Sequence, residues 1–155
     1  VNAGELRERL IGAWKLVSYE AHALDTDDVV HPLGRSPEGM ILYTPDGFMS
    51  AQLMAPDRPP YLGNDAHRAA DGEFAAAAAG YTGYAGPFEV LEDGRTIVHH
   101  VAVALMPNWV GVPQYRVARL EDDRIELSLG KPMMIEGRLR DARLVWRRAV
   151  TPRAR

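Results

Sequence analysis

Apolar and polar residues alternate with a period of two over most of this chain, the pattern of strands that turn one face away from water. The alternation predicts strands at 13–23, 40–44, 48–54, 88–92, 95–105, 114–121, 124–129 and 143–149, and a short edge strand at 29–31 that Pro32 stops. Pro45-Asp46-Gly47, Asp93-Gly94 and Asp122-Asp123 lie between consecutive strands and read as hairpin turns. Two stretches depart from this period. Residues 4–12 place Leu6, Leu10 and Ile11 on one helical face, with Gly12 as the stop. Residues 65–79, opened by Asn64 or Asp65 and ending in five alanines, predict a second helix closed by Gly80. Its apolar stripe of Ala70, Phe74, Ala78 and Tyr81 is thin, so it belongs on a surface. Residues 81–86, rich in glycine and tyrosine, then read as a hinge. The whole predicts an all-β fold of eight to nine antiparallel strands, a barrel or sandwich, with a short N-terminal helix and one helix (about 65–79) laid over it. It forms a single domain, 1–155.

Two-residue turns fix which residues share a face, because a slip of one residue would invert every side chain. With Asp93-Gly94 as the turn, Val90 faces Ile97 and Phe88 faces His99. Phe88, Val90, Ile97, His99, Val101 and Val103 then form the bulkier face, expected inward, and His100 points out. With Asp122-Asp123 as the turn, Arg116 faces Leu129, so Arg116 and Gln114 turn inward with Leu127. Leu144 and Trp146 do the same on the last strand. The turn at Pro45 leaves the facing of Tyr43, Met49 and Gln52 open.

An inward arginine and histidine are costly unless paired or wet. One reading stacks Arg116 on Trp14 or Trp146 at a closed barrel end and hydrogen-bonds His99 within the core. The other has both line a ligand cavity. Trp109, in the loop from Met106 to Pro113, is either a plug or part of the cavity mouth. Tyr81 and Tyr84 either dock the second helix or close over that mouth. Glu20 shares parity with Trp14, which makes it an inward carboxylate or a solvated strand end.

Composition narrows the chemistry. Across 155 residues with a net charge of −3 there is no cysteine, which removes disulfides, thiolate nucleophiles and Cys-ligated metals. The five histidines (His22, His31, His67, His99 and His100) show no metal-binding spacing, so no metal is expected. No glycine-rich phosphate loop or nucleophile elbow occurs, and no cofactor is called for. Basic residues cluster only at 147–155, which does not make a nucleic-acid groove. The longest apolar runs, such as 101–106, are too short to span a bilayer. The charged N-terminal stretch is not a signal peptide. A cytoplasmic location fits these features, and a homodimer stays open.

Four segments carry a resemblance. GAWKLVSYE at 12–20 is similar to the strand that opens lipocalins. GRSPEGMILYTPDGFMSAQLM at 34–54, HHVAVALMPNWVGVPQYR at 99–116 and LVWRR at 144–148 resemble the bacterial and fungal lipocalin-like domain family, short proteins often found with natural-product biosynthesis. The resemblance implies one antiparallel barrel around a cavity for a small, mostly apolar molecule. It does not imply one activity.

Polar, titratable residues among aromatics favour a cofactor-independent cyclase or isomerase that acts on a polyketide-like intermediate. His99 would serve as general acid–base, and Arg116 or Gln114 would polarise a carbonyl. Trp109, Tyr43, Gln52, Tyr84, Phe88 and Glu20 complete the candidate substrate contacts. The alternative is a non-catalytic carrier of a small hydrophobic molecule, which needs the same cavity and no chemistry. A third reading is an interaction module with a filled barrel.

Overall fold

Eight antiparallel strands close on themselves in the computed structural model, which describes residues 1–154. In chain order the elements are α1 (Ala3–Leu10), β1 (Gly12–Ala23), β2 (Val29–Val30), β3 (Glu38–Tyr43), β4 (Phe48–Met54), α2 (Glu73–Ala79), β5 (Tyr81–Val90), β6 (Thr96–His100), β7 (Val103–Ala104), β8 (Pro113–Glu121), β9 (Arg124–Leu129), β10 (Met133–Ile135) and β11 (Arg138–Arg148). The barrel runs β1-β3-β4-β5-β6-β8-β9-β11, and β11 pairs back onto β1 from Trp14↔Arg148 to Ala23↔Arg140. β2, β7 and β10 are short additions to it.

The hairpin registers hold as the turns dictate. Phe88 pairs with His99 and Val90 with Ile97. Arg116 pairs with Leu129, Ala118 with Leu127 and Leu120 with Ile125. The open register at Pro45 resolves to Tyr43↔Met49 and Ile41↔Ala51, which puts those four side chains inside and leaves Gln52 exposed.

α1 plugs one end of the barrel. Asn2 and Glu5 form a capping box at its start. Leu6 and Leu10 are buried against the core, a contribution on the order of 2 kcal/mol each. The helix ends at Leu10, before the expected residue 12, because Gly12 takes φ 118° and opens β1. The buried Trp14 donates its indole N–H to the Leu10 carbonyl at 2.8 Å. Arg148 lies 3.9 Å above the same ring and donates to the carbonyls of Ile11, at 2.8 Å, and Arg9. The arginine that closes the base is therefore Arg148, and not Arg116.

Four further expectations change. The second helix is only seven residues long, because Gly72 sits at φ 83° and starts it; Glu73 instead holds the preceding loop through the amides of Ala70 and Leu62. The helix has no buried residue and lies on the surface, as its thin stripe implied. Residues 81–86 are no hinge: they are the first half of β5 and pair with β4 from Met54↔Tyr81 to Phe48↔Pro87. Glycine is needed within it, since a Cβ on Gly86 would meet the His100 carbonyl oxygen at 1.9 Å. The predicted strand at 95–105 breaks between β6 and β7, so parity inverts and Val103 is exposed while Ala104 packs against the core. The last strand begins at Arg138, and a turn at Glu136-Gly137, both at positive φ, joins it to the unpredicted β10.

No helix among the described residues is long and apolar enough to cross a membrane.

Candidate functional site

A cavity of about 100 Å³ lies inside the barrel. A cavity on the order of 150 Å³ accepts benzene, so the enclosed space alone is smaller than one bare ring requires, and a ring with substituents must extend through its mouth. Ile41, Ala51, Leu53, Leu127, Leu144 and Trp146 make most of its apolar wall. Met133, Met134 and Ile135 of β10 cover one side, and Thr82, Tyr84 and Trp109 another. Beyond Thr82 and Trp109 an outer vestibule of about 380 Å³ opens beneath Ala78 of α2. Trp109 belongs to both spaces, in a 3-10 turn at Pro107–Trp109, and packs edge-on against Tyr84 with centroids 5.5 Å apart. It lines the mouth and plugs it at once.

Arg116 is the charged group of this wall. It is 8% exposed and donates one hydrogen bond, to the carbonyl of Tyr115 at 2.7 Å. Tyr19 shares the cavity, and burial raises its hydroxyl pKa, partly offset by the Arg116 cation. Strict alternation from Trp14 would turn Tyr19 outward. Val17 is an extra residue where the β1–β11 register slips between Leu16 and Ser18, so parity inverts after it. Tyr19 pairs with Leu144 and turns in. Glu20 turns out for the same reason: it lies 3.2 Å from His22 and 3.8 Å from His31 at the surface.

His99 is inside, yet behind the wall. It is fully buried, with Nε2 2.8 Å from the Tyr43 hydroxyl and Nδ1 2.9 Å from that of Tyr84. Burial holds its pKa well below the ordinary value, and the Arg116 cation and His100 add to this. The ring is therefore neutral: one nitrogen donates to a tyrosine oxygen and the other accepts a tyrosine O–H. Burial likewise pushes the Tyr43 pKa well up. With both nitrogens occupied, His99 reaches the cavity only through Tyr84.

Nine residues were singled out from sequence. Arg116, Tyr84 and Trp109 line the cavity. Tyr43, His99 and Phe88 form a sealed layer, with Phe88 edge-on to Tyr43 at 4.9 Å and beneath Arg7 of α1. Gln114 pairs with His99 across β6 and β8, buried but not in the cavity wall. Glu20 and Gln52 lie outside, Gln52 in a groove of the outer surface with Met40, Leu42 and Tyr81.

Sequence reasoning missed the mouth clasp. Arg140, 2% exposed, donates to the Asp28 carboxylate at 2.7 Å and to the Ile135 carbonyl at 2.9 Å. It ties β10 to the loop after β1. Glu136-Gly137 between two short apolar runs was the signal for this hairpin. Among the described residues, no three His, Asp or Glu side chains gather as a metal site would need.

The family model for a lipocalin-like domain matches residues 11–149. A 4'-hydroxy-3'-methoxypropiophenone carrier protein of Aspergillus oryzae is 35% identical over 106 residues, which cover 64% of this chain and 96% of that protein.

Proposed function

This chain belongs to the lipocalin-like domain family, and from that premise we propose that it binds and carries a small, mostly apolar, single-ring molecule inside the barrel, without altering it. The observation that carries this reading is the position of His99. A general acid–base must come within hydrogen-bond reach of the reacting atom. His99 has both nitrogens engaged by tyrosines and no exposed surface. What faces the cavity is instead a mostly apolar wall with one guanidinium and the hydroxyl-bearing Tyr19, Thr82 and Tyr84, the arrangement of a binding pocket. The cavity's small size favours a ligand no bulkier than one ring over a folded polyketide chain. The related carrier protein, whose printed ligand is an aryl ketone, supports the same reading.

The cyclase or isomerase reading keeps one supporting observation. Tyr84 links the cavity to His99 and Tyr43, so a proton could pass along that chain. Incubation with propiophenone separates the two. The carrier reading expects one-to-one quenching of tryptophan fluorescence and recovery of unaltered ketone after prolonged contact. Failure to bind contradicts it, and conversion of a ligand at catalytic protein levels replaces it with the enzymatic one.

A further inference from the structure

Arg116, Arg140 and Arg148 lie against the barrel's interior or its ends, and two of them have evident partners. Arg140 is paired with Asp28, and Arg148 lies over Trp14 and bonds two carbonyls. Arg116 has neither. No carboxylate among the described residues pairs with it, and no Asp or Glu lines its cavity. Its one hydrogen bond goes to the neighbouring carbonyl of its own strand. An arginine has five N–H donors, so most of them are left for the cavity. Burying such a charge without a counter-charge is costly.

The tryptophans show the same contrast. Trp14 gives its N–H to Leu10, whereas Trp146, 1% exposed and in the cavity wall, has a buried N–H with no partner. A buried donor left unsatisfied is rare in native structures. That N–H is itself covered, so it is Arg116 that presents free donors to a wall that supplies no anion.

We propose that the ligand carries a negatively charged oxygen (a carboxylate, phenolate or enolate) which docks on Arg116. This rests on the cavity being the ligand site, and it assigns the charge of what enters. Charge-assisted hydrogen bonds to a guanidinium are the strong class, and the apolar wall around them raises their discrimination. The ring occupies the apolar side of the cavity while the oxygen offsets the arginine.

Three probes of one shape test this: benzoate, benzamide and toluene, titrated against the full chain by calorimetry. Benzoate should bind at least about tenfold more tightly than benzamide, and toluene most weakly. Arg116→Met keeps the side-chain length and removes the charge. In it the benzoate preference should fall to within about twofold, while toluene binds at least as well as before. Benzoate binding no better than benzamide, or a preference that survives Arg116→Met, overturns the charge assignment and leaves the pocket standing. Failure of all three to bind overturns the pocket and the assignment together.

Discussion

The Tyr84 hydroxyl lies 2.9 Å from Nδ1 of His99 and stands between that ring and the cavity. A wall tyrosine thus seals a neutral histidine whose other nitrogen is held by Tyr43. This satisfies the buried ring without water, and it makes the histidine a fixed part of the wall.

That neutrality has a pH signature. The folded-state pKa of His99 lies below its unfolded value of about 6.5, so the unfolded chain takes up the proton first as pH falls. Its contribution to stability is whole above about pH 6.5 and is lost below it, by about 1.4 kcal/mol per pH unit, until the folded ring also titrates. Urea unfolding at intervals from pH 7.5 to 5 should show that extra slope in the wild type and not in His99→Gln. Equal slopes would mean that the ring is solvated.

Arg148→Met removes the cation from the Trp14 ring and two hydrogen bonds to the carbonyls that follow α1. Stability should fall by about 1–3 kcal/mol. The cavity wall does not include Arg148, so ligand affinity of the folded variant should stay unchanged in the same titrations.

Gly86→Ala places a methyl group 1.9 Å from the His100 carbonyl oxygen and 2.8 Å from the Ala102 nitrogen. Both neighbours are backbone and cannot rotate away. The cost should exceed about 3 kcal/mol, read as a large drop in melting temperature or loss of folded protein.

The registers at Asp93-Gly94 and Asp122-Asp123 were legible because a tight turn fixes parity over the strands it joins; Phe88, His99 and Arg116 could therefore be placed from sequence. Parity failed where the chain bends to close the barrel. Val17 in β1 and the break after His100 each invert the alternation, which turns Tyr19 in, leaves Glu20 as a solvated strand end and puts Val103 outside, where strict alternation had it inward. Neither irregularity has a local signal, since barrel closure and not alternation dictates it. The extra helical turns expected at 65–72 failed because Gly72 and the hydrogen bonds of Glu73 outweigh alanine's helix preference.

Asp28→Asn should loosen the mouth without unfolding the barrel. Asp28 is half-exposed, so loss of its charge on Arg140 should lower stability by only about 1–2 kcal/mol. Hydrogen exchange of the β10 amides should quicken selectively, and a bound ligand should dissociate faster. Unchanged exchange there would show that the ion pair does not hold the hairpin.

The most direct measurement is binding of propiophenone to variants whose cavity has been filled. Ala51→Leu and Ala142→Leu each add bulk at a buried position of the cavity wall, at a cost of about 1–3 kcal/mol, with folding confirmed by circular dichroism. The expected result is one-to-one binding to the wild type and a loss of at least about tenfold in both variants. Equal affinity in the wild type and both filled variants would place the ligand elsewhere, such as the outer groove beside Met40 and Gln52, and would contradict a ligand chamber inside the barrel.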